Sequence, residues 1–187
     1  MKTKNRVIIA LLIIGTLLFS VVQFVVVPHN NAKEQEYLAA QVEPTTHDLS
    51  RILPYKNRYI GNSSNTINLF YNLPLAEHGV KFQIFSQTLA LEIDYQVSAQ
   101  KIGGEKVHKA LIYNSVAAFS LIDNLKKITY VFSDTSYEVT RTNIESVFGK
   151  NPSSLLAKEK WKTAVQHELE NRDFVNQCMR TAILEKK

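Results

Sequence analysis

Residues 80–95 read VKFQIFSQTLALEIDY, and how that stretch is taken decides the fold of the chain. Val80, Phe82 and Ile84 alternate with Lys81 and Gln83. Leu89, Leu91, Ile93 and Tyr95 then alternate with Ala90, Glu92 and Asp94. A period of two sends successive side chains to opposite faces, so each run is a half-buried strand and not a helix. Ser86-Gln87 between them is a short polar turn, and the pair reads as an antiparallel hairpin.

Downstream, Gly103-Gly104 breaks the pattern and the period becomes helical. Val107, Leu111, Ala118, Ile122 and Leu125 share one stripe, widened by Ala110, Ala117 and Leu121. This predicts a core helix over 105–125, with Lys109 on its water side. Ile128, Tyr130 and Phe132 alternate again, and Tyr137 and Val139 follow a turn at Asp134-Thr135, which makes a second hairpin. Thr142-Asn143-Ile144-Glu145 has capping-box spacing, and Gly149 stands where that helix would end. Pro152-Ser153-Ser154 opens a last helical region to about Leu184, its inner face marked by Trp161, Val165 and Leu169. Upstream, Asp48 to Leu53 forms a short helical turn stopped by Pro54. Gly61-Asn62-Ser63-Ser64 then supplies an N-cap oxygen to a helix from Asn65 to Leu73. The order helix-ββ-helix-ββ-helices predicts an α+β domain over 48–187. In it a mainly antiparallel four-stranded sheet carries the 105–125 helix on one face.

The N-terminal end has a different character. From Val7 to Val27 the run is 21 residues long and uncharged, interrupted only by Gly15, Thr16, Ser20 and Gln23. At 1.5 Å per residue such a helix matches the roughly 30 Å hydrocarbon layer of a bilayer. Lys2, Lys4 and Arg6 precede it, and His29, Lys33, Glu34 and Glu36 follow. The expectation is therefore a cytoplasmic tip at 1–6, a transmembrane helix at 7–27 in contact with the lipid bilayer, a linker at 28–47 and an extracytoplasmic domain at 48–187. That placement makes the chain a single-pass protein of the cell membrane. A secretory signal has a shorter apolar core and a small-x-small cleavage site, which Asn30-Asn31-Ala32 does not provide.

Charge and cysteine content exclude several classes. The net charge is +5, but without Lys2, Lys4 and Arg6 there remain 19 basic against 17 acidic residues. That balance leaves no electrostatic footprint for nucleic acid. Cys178 is the single cysteine, so the domain holds together by packing without an internal disulfide. Of the five histidines, His29, His47, His78, His108 and His167, none lies three or four residues from another. A helix-borne zinc site therefore has no support, and no cofactor is expected. Glu92 and Asp94 fall on the solvent side of their strand, and no Gly-x-Ser-x-Gly nucleophile turn occurs.

Three segments together carry a family resemblance. They are Tyr55-Lys56 with Tyr59-Ile60-Gly61-Asn62 and Asn72-Leu73-Pro74, then Leu91-Glu92-Ile93-Asp94-Tyr95, and then Phe119-Ser120-Leu121-Ile122-Asp123-Asn124. Over roughly residues 50 to 150 the chain resembles an uncharacterised extracytoplasmic domain family of Gram-positive bacteria, known only as a domain of unknown function. Its members carry one membrane span or are appended to membrane metallopeptidases of the BlaR/MecR sensor type. The family form of the first motif is Lys-x-Pro-Tyr-Val-Gly-Asp. Here Arg58 stands at the proline and Asn62 at the acid, so the chain departs from the family form at both positions. The resemblance implies an envelope setting and a sensing or accessory role, and brings no activity with it.

Tyr55, Lys56, Arg58 and Tyr59 are the most site-like cluster, with two rings and two cations in five residues before a helix N-terminus. Such a group can grip an anion or a partner's acidic surface. The expected function is a membrane-anchored accessory or sensor domain that binds a partner protein or envelope ligand. The alternative is a small extracytoplasmic enzyme such as a hydrolase.

Overall fold

The computed structural model describes residues 2–186, without the side chains of residues 2, 3, 5–7, 9, 10 and 13. Met1 of the expected tip and the flanking side chains of Lys2 and Arg6 lie outside the described residues. Contacts divide the chain into two units, Met1–Ala39 and Ala40–Lys187.

The first unit is helical, but not as one regular span. Helix α1 (Lys2–Val21) passes into a π-helical turn at Val22–Val26, and α2 (Val27–Gln41) follows. Pro28 gives the physical reason. Its ring clashes with the carbonyl four residues back and its nitrogen cannot donate, so the turn ahead of it widens. The apolar run is thereby split. Only residues 7–21 of it lie in α1, about 22 Å of rise against the ~30 Å needed. Among the described residues no helix is long and apolar enough to cross a membrane. The transmembrane helix expected at 7–27 and the single-pass cell-membrane placement built on it are corrected accordingly. The described apolar side chains between Ile8 and Val27 are exposed.

The second unit is α+β, and its sheet differs from the expected one. Strands β1 (Val80–Phe85), β2 (Ala90–Tyr95), β3 (Lys127–Val131), β4 (Ser136–Thr140) and β5 (Ile183–Lys186) lie side by side in sequence order. Pairs β1–β2, β3–β4 and β4–β5 are antiparallel, whereas β2–β3 is parallel. The expected four-stranded, mainly antiparallel sheet is therefore a five-stranded mixed one. The two hairpins lie at the alternating stretches. The helix between them carries the chain back to the end where β2 began, so β3 must run alongside β2 in the same direction. The fifth strand has no alternation in its sequence because only Ile183 of its four residues is buried.

Register lays Ile84, Leu91, Ile128, Val139 and Ile183 in one row across the covered face. Against that face lies α5 (Gly104–Leu121), in which every side chain from Ala110 to Leu121 is buried. A helix buried all round needs cover on its far side as well. Its contacts there include the 3-10 turn Pro152–Leu155, α6 (Arg141–Phe148) and α8 (Arg172–Thr181). Short α3 (Ser63–Tyr71), α4 (Ala99–Ile102) and α7 (Lys158–Trp161) complete the helices.

Helix α5 ends four residues earlier than the apolar stripe suggests. Ile122 is extended, with φ −116° and ψ 103°, and bridges to Asn57. Arg141 closes this end. Its Nε donates to Leu125 O at 2.8 Å, Nη1 to Phe119 O at 2.9 Å and Nη2 to Ile122 O at 2.7 Å, with the guanidinium 5.3 Å over the Phe119 ring. Helix C-termini leave carbonyls without intrahelical partners, and a cation is favoured there. The cap of α6 is Thr140, which accepts from Asn143 N–H, two residues before the capping box read from sequence.

Candidate functional site

The loop from Tyr55 to Asn62 is fixed by its backbone to the end of α5. Asn57 N–H donates to Leu121 O at 2.8 Å, and Asp123 N–H returns a bond to Asn57 O at 3.2 Å. Asn124 N–H donates to Arg58 O at 3.2 Å, while its side-chain oxygen accepts from Ile60 N–H at 2.7 Å. Asn62 then caps α3 by accepting from Asn65 N–H at 3.4 Å. A Cβ on Gly61 would stand 4.0 Å from Ser86 Oγ, which sets the loop beside the β1–β2 turn. Two of the motif segments, distant in sequence, thus meet in one place, and the side chains of Asn57, Asn62 and Asn124 serve to pin this loop.

The four cluster residues part ways. Tyr55 is half-buried, and its phenol oxygen accepts from Asn72 Nδ2 at 3.1 Å. Asn72 Oδ1 in turn accepts from Arg51 at 3.1 Å. Tyr55 therefore belongs to the fold. Lys56, Arg58 and Tyr59 face outward, the Tyr59 ring 61 % exposed with the Arg58 guanidinium 5.8 Å above its centre. A cation held over an aromatic face presents contact area and positive charge together, which suits a carboxylate-rich surface.

A second constellation, buried and polar, was not legible in the sequence. His47 Nε2 lies 2.7 Å from Asn72 O, which can only accept, so that nitrogen carries the proton. Its Nδ1 consequently accepts from the Tyr113 hydroxyl at 2.8 Å, and Tyr113 oxygen accepts from Trp161 Nε1–H at 3.2 Å. The chain runs Trp161 to Tyr113 to His47 to Asn72 with every group satisfied. Burial, foremost, pushes the His47 pKa down from its ordinary 6.5. Burial likewise raises the Tyr113 hydroxyl. His47 and Tyr113 are 66 positions apart, a separation no local spacing rule detects.

The remaining residues marked by the sequence find ordinary places. Glu92 and Asp94 stand on the face of the sheet away from α5, beside Gln83 and Lys81 in register. His78 lies 3.5 Å from Glu77, and the His108 ring meets the Tyr137 ring edge-on at 6.2 Å. Among the described residues no group of three His, Cys, Asp or Glu could hold a metal ion. Cys178 is buried on α8, and burial raises its thiol to about 11, well away from a reactive thiolate.

The geometry is that of an α+β domain presenting a braced aromatic-cationic loop. Residues 52–142 are similar to the family described as Domain of unknown function (DUF4825), and such a domain is found there. The matched stretch includes the loop, both hairpins, α5 and Arg141. It leaves out His47, Trp161 and β5. No curated protein matches the chain, and no solved structure does.

Proposed function

We propose that Ala40–Lys187 is a recognition domain without catalysis of its own, an accessory or sensor module that binds a partner protein through Lys56, Arg58 and Tyr59. The observation that carries this reading is Tyr59: a large ring left 61 % exposed on a backbone already fixed by Asn57, Asp123 and Asn124. An exposed loop tip normally loses freedom on binding, and that cost is reduced where the loop is pre-ordered. Tyrosine and arginine are also the residue types that dominate binding energy at protein interfaces. The family resembled, with members beside metallopeptidases of the BlaR/MecR sensor type in Gram-positive bacteria, supports a sensing role. The alternative of a small hydrolase has no observation in its favour among the described residues.

The test is the double change Lys56→Ala with Arg58→Ala, read by chemical crosslinking of the full chain in cells that produce it. The expected outcome is loss of the crosslinked partner with an unchanged melting temperature. Retained crosslinking overturns the assignment of the surface, and a fallen melting temperature returns these residues to the fold.

A further inference from the structure

Apart from that loop, residues 46–49 form one wall of a cleft of about 240 Å³, with Lys158, Trp161, Lys162 and Gln166 forming the other. The walls are braced to each other. Gln166 Nε2 donates to Pro44 O at 3.1 Å and to His47 O at 2.8 Å, and the Trp161 indole reaches His47 through Tyr113. The cleft therefore keeps its shape without an occupant. A π-helical turn, Lys162–Gln166, forms the outer wall. Such turns are rare and are found frequently at functional sites.

The cleft is lined by charges of both signs. Lys106, Lys109, Lys127 and Lys186 each meet a carboxylate within 4 Å. Lys158 and Lys162, four residues apart and exposed, form no ion pair among the described residues. Asp48 stands on the facing wall, its Oδ1 accepting from Ser50 N–H at 2.9 Å. Bonds from Ser50 and, to a lesser degree, the charge of Lys158 keep its carboxyl below the ordinary range, so it is ionised at neutral pH. His47 is enclosed and uncharged, so the cleft presents two cations and one anion.

We propose that this cleft binds a small zwitterion of the α-amino-acid type, its carboxylate between Lys158 and Lys162 and its ammonium on Asp48. A dianion such as phosphate satisfies the lysines but meets the Asp48 carboxylate. A simple amine satisfies Asp48 but meets two ammonium groups. The volume falls below the range of roughly 300–1,000 Å³ that holds drug-sized ligands, which suits a molecule of amino-acid size.

Trp161 is the only tryptophan in the chain and lines the cleft, so its fluorescence reports occupancy directly. The probes are L-alanine, its two halves propionate and ethylamine, and inorganic phosphate. Alanine is expected to saturate the signal with a dissociation constant at least tenfold below either half. Lys158→Gln with Lys162→Gln raises that constant tenfold or more at an unchanged melting temperature. Asp48→Asn, which keeps the turn cap, reduces the preference for alanine over propionate below threefold. Three results overturn the proposal: no saturable response to alanine, phosphate binding more tightly than alanine, or alanine binding equally well to the lysine variant.

Discussion

Tyr113 and Tyr59 are the same residue in opposite conditions. The Tyr113 ring is wholly buried, its hydroxyl placed between Trp161 and His47, and the Tyr113 and Trp161 rings meet in a T with centroids 5.4 Å apart. Tyr59 offers most of its ring to solvent, with only the Arg58 guanidinium over it. Around Tyr113 the buried polar atoms bind one another, so removing any one leaves a desolvated group behind. Around Tyr59 the backbone is held by Asn57 and Asn124, whereas the side chains of Arg58 and Tyr59 carry no bond that the fold needs. The comparison separates residues that hold the domain together from residues free to meet something else.

The largest effect is expected where buried carbonyls depend on a single side chain. Arg141→Ala leaves Phe119 O and Leu125 O without their side-chain donor and Ile122 O with only the Leu125 N–H at 3.4 Å, and should cost about 3 kcal/mol of unfolding free energy by denaturant titration. Arg141→Lys keeps the charge but not the fork, and should recover only part of it. An effect below about 1 kcal/mol would show that water reaches those carbonyls.

Tyr113→Phe comes next. It keeps the ring but strands Trp161 N–H and His47 Nδ1, for about 1–3 kcal/mol. A near-neutral result would break the contrast with Tyr59, because it would make both hydroxyls dispensable.

The pH response is expected to be smaller, and it belongs to the buried side of the comparison. His47 and His108 both have pKa values lowered from 6.5, chiefly by burial. Below about 6.5 the unfolded chain takes up protons that the folded chain resists, so stability is full above that pH and falls beneath it. Carboxylates such as Asp48 and Asp134 have ordinary values near 3.8 and act lower still. Denaturation midpoints should therefore decline between pH 7 and pH 5, and His47→Gln should flatten that decline. A slope equal to that of the unaltered chain would remove His47 from the account.

The smallest change in stability is expected at Tyr59. Tyr59→Ala should stay within about 0.5 kcal/mol, as for exposed positions away from packing. A larger loss would place its ring in the fold.

Some of this was legible in the sequence and some was not, for identifiable reasons. Both hairpins announced themselves because residues such as Phe82, Ile93 and Tyr130 repeat with the period of a pleated strand. The breadth of the stripe on α5 gave its core position, though not its end, because Ile122 and Leu125 remain apolar after the helix has stopped. The parallel β2–β3 pairing needs knowledge of which strands are neighbours, and β5 is too short to show a pattern. The split of the N-terminal apolar run turns on Pro28 and the widened turn before it, whereas the hydropathy of residues 7–27 counts side chains and not backbone geometry. At the loop, composition marked Tyr55 and Tyr59 alike. Only the bond from Asn72 to the Tyr55 hydroxyl separates the inward ring from the outward one.

The most direct test of the recognition surface is site-specific photocrosslinking in cells that produce the full chain. A benzoylphenylalanine placed at Tyr59 keeps an aromatic ring in the exposed position, and one placed at Glu92 samples the open sheet face as a control. The account predicts a discrete adduct from position 59, absent from position 92 and lost when Lys56 and Arg58 are both alanine. Equal adducts from both positions, or an adduct from position 59 that survives loss of the two cations, would contradict it.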